Sequence, residues 1–231
     1  MARKLYELVG ADPTRRFSPF CWRARMALAH KGLEAEVVPW RFTEASALRF
    51  AHYDKVPVLV DDERVVTDSS TIAAYLDKAY PDRPSLFRDD APSRRFTIAW
   101  ANSVLHPAIV RLIVSDIPPL LAEPARSYFI ASREQRFGMK LDEVTADRAQ
   151  RVGEFRALLL PLRTVLAEQA FLGGDAPDYA DYAVFGGFQW ARCVSAFELL
   201  DRGDLVRCWR DRMLDLYGGL ARGVPAFDVA A

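Results

Sequence analysis

The chain has 231 residues, 31 basic and 31 acidic side chains for a formal net charge of zero, and 51% apolar content. That length holds one large domain or two small ones around a substantial core, and a zero balance excludes a general nucleic-acid or anionic-membrane binder, which would carry a basic excess. No apolar signal region and no apolar run of membrane-spanning length stands out. Three well-separated cysteines, Cys21, Cys193 and Cys208, suit a reducing cytoplasm better than a disulfide scaffold. His30, His52 and His106 show no metal-ligand spacing with one another or with cysteine, so no metal site is expected.

From Lys4 to about Tyr80 strand and helix signals alternate. An apolar run, Leu5 to Val9, ends in the turn-formers Gly10, Asp12 and Pro13. Ser18 then has the side chain of a helix N-cap, and Pro19 suits the first helical position, where a missing N–H goes unnoticed. Phe20, Ala24, Ala27 and Leu28 recur at helical spacing, and Gly32 stands where a left-handed cap is expected. A second strand is read over 34–40 and a less regular segment over 44–54. Two β-branched runs, 56–60 and 64–67, are close enough to form an antiparallel hairpin. Asp68-Ser69-Ser70 opens a helix with Ile72, Tyr75 and Leu76 inward, which Pro81 stops. The order β-α-β, β-β-α implies a small sheet covered by helices.

Pro81, Pro84 and Pro92, interleaved with Asp82, Arg83, Asp89 and Asp90, read as a linker. Beyond it the signals are helical. A long helix is expected from Phe96 to Ile113, bent at Pro107, and Pro118-Pro119 ends it. A single amphipathic helix is expected over 147–169, with Val152, Phe155, Leu159, Leu162 and Leu166 on one face. Asp178-Tyr179-Ala180-Asp181 reads as a variant capping box before a helix apolar almost all round, which belongs at the centre. A last helix runs from Leu205 to Tyr217. No internal repeat or low-complexity segment is present.

Ser18-Pro19-Phe20-Cys21 at the first helix, Val56-Pro57 before a strand, Asp68-Ser69 at a helix start and the Asp178/Asp181 box stand in one order along the chain. Together they resemble a cytosolic glutathione S-transferase, and the resemblance covers the whole chain. The wording of 18–25, 38–42 and 80–84 is similar to a bacterial branch that includes β-aryl-etherase-like transferases. The family resemblance implies an α/β thioredoxin-like N-terminal domain (residues 1–82), a linker (83–92) and an all-α C-terminal helical bundle domain (93–231). It also implies glutathione as co-substrate, a small hydrophobic electrophile, a cytoplasmic location and a homodimer.

Glutathione's thiol ionises poorly at neutral pH, so a transferase must stabilise the reactive thiolate. By the resemblance Ser18 contacts that sulfur; as a residue at a helix start it equally serves as a cap. Cys21 occupies the second cysteine position of a thioredoxin-like pair whose first is Ser18, so it is either a reactive thiol or a small packing residue. Tyr6 is a weaker thiolate donor, with a place in the sheet as its other reading. Pro57 matches a cis proline that turns the Val56 backbone toward glutathione's cysteinyl group, like an added strand. Asp68 suits the γ-glutamyl ammonium, and Ser69 with the free helix amides suits its carboxylate. Trp40, Lys55 and Arg41 are candidates for the glycyl carboxylate. Phe20, Trp100, Ser103, Val104, His106, Pro107 and Arg111 are candidates for the electrophile site between the domains. Two classes of activity fit: an enzyme joining glutathione to an electrophilic carbon, with aryl-ether cleavage as a variant, and a non-catalytic glutathione-binding or assembly protein.

Overall fold

The computed structural model of the chain describes residues 3–87 and 91–227. Residues 88–90, with Asp89 and Asp90 of the expected linker, lie outside them. The sheet half contains β1 (Arg3–Leu8), α1 (Pro19–His30), β2 (Glu36–Trp40), a 3₁₀ segment (Ala45–Ala51), β3 (Val58–Asp61), β4 (Arg64–Thr67) and α2 (Ser69–Ala79). The strand order is β2-β1-β3-β4, with β1 parallel to β2 and antiparallel to β3. Leu5, Leu59 and Val66 lie side by side in register and are buried. Alternate positions on adjacent strands share a face, so this row forms the sheet's contribution to the core.

This topology gathers the candidate residues at one end. The carboxyl ends of β1 and β2, the start of β3 and the end of β4 coincide, because Leu8 pairs with Trp40 and Val58 with Thr67. The chain leaving β1 reaches Ser18 from that end, and β4 runs directly into the cap of α2. Ser18 caps α1 by accepting from the Cys21 N–H at 3.2 Å, Pro19 takes the first helical position, and Gly32 adopts φ +62° just past the helix.

The helical half contains α3 (Ala91–Trp100), α4 (His106–Ile113), α5 (Ala125–Phe137), α6 (Leu141–Thr145), α7 (Arg148–Leu158), α8 (Leu160–Leu166), α9 (Tyr179–Val194) and α10 (Leu205–Gly219). At the centre stands α9, with Trp190 its one residue not fully buried. Its capping box forms as expected: Asp178 accepts from the Ala180 N–H at 2.7 Å, and Asp181 accepts from the Asp178 N–H at 3.1 Å.

Several sequence expectations are corrected. The helix expected to bend at Pro107 instead widens into a π-helical stretch, Ala101–Leu105, between α3 and α4. Proline lacks the N–H that would bond four residues back, and a wider turn is one way to absorb that loss. The single helix expected over 147–169 is two, α7 and α8, because Pro161 stands in the first turn of the second. Nothing in the apolar pattern announced α5 or α6. The last helix departs from helical geometry at Leu216, Tyr217 and Gly218. Finally, the continuous helical path from Arg94 to Asp116 is, by length and composition, long and apolar enough to cross a bilayer, contrary to expectation. Here its inner side, with Ala101, Leu105, Ile109 and Leu112, is buried in the helical core.

Candidate active site

A cleft of about 420 Å³ opens at the carboxyl end of the sheet, between the two halves. The sheet half contributes Leu8, Phe17, Ser18, Phe20, Trp40, Phe42, Lys55 and Val56. The helical half contributes Asn102, His106, Pro107, Val110, Phe129, Arg133, Arg136 and Trp190. This size is in the usual range for a small-molecule site.

Ser18 is 5% exposed and lines the cleft. Its capping bond uses an oxygen lone pair, and a hydroxyl has a second lone pair and a proton besides. Capping therefore leaves the Ser18 O–H able to donate, so the two readings of this residue are compatible. Cys21 is buried behind it, and burial, reinforced by Glu7, pushes its thiol up to about 12. It stays a thiol at neutral pH, which disfavours the reactive reading. Tyr6 is half-buried, packs against the Phe50 ring at 5.4 Å and is absent from the cleft wall.

The Val56–Pro57 bond is cis, and Val56 lines the cleft. Asp68 follows directly on β4, with φ +67°, a conformation non-glycine residues avoid at a cost of about 1–3 kcal/mol. Its Oδ1 accepts from the Ser70 and Thr71 N–H groups at 2.9 and 3.1 Å, which fixes the carboxylate at the start of α2. The Ser69 hydroxyl is buried, with no hydrogen bond of good geometry. Strain at such a position is a common mark of ligand clamps.

These features meet what comparison with known proteins finds. A family model described as the C-terminal domain of glutathione S-transferase matches residues 94–217, and its N-terminal counterpart matches residues 17–79. The chain belongs to the glutathione S-transferase family. Glutathione S-transferase omega-1 of Mus musculus is 29% identical over 206 residues, covering 86% of this chain and 73% of its own length. Glutathione transferase GST 23 of Zea mays is 30% identical over 220 residues, covering 86% and 82%. Among solved structures, a Ceriporiopsis subvermispora glutathione S-transferase in complex with glutathione superposes with TM-score 0.80 over 100% of this chain and 99% of its own, at 22% identity. At that identity the likeness is one of fold, and the fold is the thioredoxin-like half followed by the helical half.

Within this transferase the remaining sequence candidates divide. The Trp40 indole N–H donates to the Glu44 carbonyl at 2.8 Å, so it is spent locally and only the ring faces the cleft. Arg41 is likewise held by Glu44, at 3.2 Å, whereas Lys55 is exposed at the cleft rim. Phe20 is 39% exposed, so it forms cleft wall, not the buried helix face its spacing suggested. His106 and Pro107 also line the cleft. Trp100, Ser103, Val104 and Arg111 do not: the side turned inward carries Asn102, His106 and Val110, four residues apart. Ser103 donates to the Ala99 carbonyl at 2.7 Å, and Arg111 lies over the Phe137 ring. The sequence reading missed Asn102, Phe42, Trp190 and the α5 residues Tyr128, Phe129, Arg133 and Arg136.

Behind the cleft wall, Arg23 of α1 is buried and donates to Asn102 Oδ1 at 2.7 Å, with His106 Nε2 at 3.5 Å. Burial, and then the Arg23 charge, push His106 down to about 3. The imidazole is therefore neutral across the physiological range and serves as a fixed polar wall.

Proposed function

We propose that the cleft binds glutathione and that Ser18 stabilises its thiolate for attack on an electrophilic carbon. The cysteinyl backbone lies along Val56 and cis Pro57, in the manner of an added strand. The γ-glutamyl group sits at the start of α2, its ammonium at Asp68 and its carboxylate at Ser69 and the helix amides. Lys55 faces the glycyl carboxylate. The sulfur then reaches Ser18, whose cap consumes only a lone pair and whose proton can turn from the neutral Cys21 thiol, a weak acceptor, to the thiolate. That donor, shared with the neutral Cys21 thiol until a thiolate arrives and standing at the start of a helix whose dipole favours negative charge, carries the reading. The buried Cys21 thiol behind Ser18 supplies no competing nucleophile. The electrophile occupies the wall formed by Phe20, His106, Pro107, Val110 and Phe129.

The test is Ser18→Ala, assayed across haloaromatics, epoxides and aryl ethers. Turnover is expected to fall roughly ten- to a thousandfold, the scale of losing one donor to a developing anion. Glutathione affinity should stay within about a few-fold, since Asp68, Ser69 and Val56 are untouched. The ultraviolet thiolate titration of bound glutathione should move to higher pH. An unmoved titration with unchanged turnover would leave Ser18 as a cap alone.

A further inference from the structure

The α5 side of the cleft holds two guanidinium groups, Arg133 and Arg136, and among the described residues no carboxylate forms an ion pair with either. Arg133 lies over the rings of Phe129 and Phe42, at 4.9 and 5.6 Å, and donates to Ser132 Oγ at 3.0 Å. These neighbours hold the group in place but do not neutralise it. Burial lowers the Arg133 pKa, Tyr128 offsets part of that, and the nearby Arg136 charge lowers it further. Asp54 is the one carboxylate in the cleft wall, against Arg133, Arg136 and Lys55, in a chain whose net charge is zero. A half-buried cation beside a like charge is unfavourable until an anion arrives, and a guanidinium fork matches a planar carboxylate. The same rings that hold Arg133 give an aromatic molecule a surface to stack on.

We propose that the electrophile half of the cleft takes an aromatic substrate bearing a carboxylate, which Arg133 grips with Arg136 in support. This rests on the glutathione transferase reading for turnover, but its binding half stands by itself. With a chloronitrobenzoate, the glutathione thiolate would form the new C–S bond to the ring carbon. The C–Cl bond breaks, chloride leaves with the bonding pair, and the thiol proton is released to solvent.

Two measurements test the proposal. The first is equilibrium binding of the unreactive pair 4-nitrobenzoate and 4-nitrobenzamide, followed by tryptophan fluorescence, since Trp40 and Trp190 line the cleft. The benzoate should bind about tenfold or more tightly than the amide, the scale of charge-assisted hydrogen bonds. Arg133→Met should erase that preference, Arg133→Lys should keep part of it, and Arg136→Gln, at an exposed position, should reduce it. The second is kcat/KM for 4-chloro-3-nitrobenzoate against 4-chloro-3-nitrobenzamide, with the KM for glutathione alongside. Arg133→Met should lower the ratio about tenfold. Equal binding of the benzoate and amide by the wild type would overturn the proposal. So would a raised glutathione KM with the benzoate preference intact, which would assign Arg133 to the glycyl carboxylate. A benzoate preference without turnover of any electrophile would support this site while removing the transferase reading.

Discussion

His106 sits 3.5 Å from the Arg23 guanidinium, with an additional Cβ at Gly187 able to reach within 2.8 Å of its ring. The residue is 7% exposed, so little water can solvate an imidazolium, and the neighbouring charge is of the wrong sign. Its pKa in the folded chain is about 3, against about 6.5 when unfolded. The unfolded chain therefore takes up a proton that the folded chain refuses. Stability from this group is fully present above about pH 6.5 and is lost as pH falls toward 3, by up to about 1.4 kcal/mol per pH unit. Urea unfolding of the wild type and His106→Gln at pH 7, 6, 5 and 4 should show a shallower loss in the variant. Parallel slopes would refute the assignment. The sequence placed His106 among the electrophile-site candidates but offered no sign of its neutrality, because Arg23 is 83 residues away and meets it only through packing.

The contact between α1 and α9 decides where Ser18 stands. An added Cβ at Gly186 would lie 2.3 Å from the Pro19 carbonyl oxygen, so this glycine lets the first turn of α1 seat directly on the central helix. Glycine weakens a helix interior by about 1 kcal/mol relative to alanine, and here close approach offsets that loss. Gly186→Ala should lower stability by about 1–3 kcal/mol, as overpacking does, and displace the Ser18 end of α1. Gly153, exposed on α7 with nothing within 4 Å, provides the contrast. Gly153→Ala should raise stability by about 0.5–1 kcal/mol. Thermal melts of both variants, with opposite signs expected, check the account. Elements with a periodic apolar face or a cap, such as α1, α2 and α9, were legible in the sequence. The α5 wall was not, because nothing in the sequence around Arg133 and Arg136 marks them as cleft residues until the fold sets them there. For the same reason candidates on the sheet half were easier to name than those on the helical half. The candidates Ser18, Pro57 and Asp68 stand out through caps and an X-Pro motif, which are local, whereas Phe42, Asn102 and Trp190 meet only by tertiary packing.

The two halves of the molecule are joined by side chains that cross the seam at the cleft and along α1 away from it. Arg23 of α1 reaches Asn102, and His30 at the end of α1 meets the Tyr182 hydroxyl of α9 at 2.6 Å. The Tyr179 hydroxyl lies 3.3 Å from Ser70 Oγ on α2. Such contacts fix the sheet half against the helical half, and with them the relative position of the two cleft walls. What they leave uncovered is equally informative. Phe96 of α3 is 73% exposed, the most of any large apolar side chain among the described residues. Both sheet edges are protected: β2 carries Pro39, and β4 is only four residues long. Association through an extended sheet is therefore disfavoured, and side-chain packing on a helical face is the available route. The homodimer implied by the family resemblance would bring the sheet half of one protomer against the helical half of its partner across a two-fold axis. Phe96, as the most exposed large apolar side chain among the described residues, is the position at which such a contact is tested. Sedimentation equilibrium at micromolar concentration should give the dimer mass for the wild type. Phe96→Ser should shift the population toward monomer without changing the far-ultraviolet dichroism. A wild-type monomer would refute the dimer, and a Phe96→Ser protein as dimeric as the wild type would place the interface elsewhere.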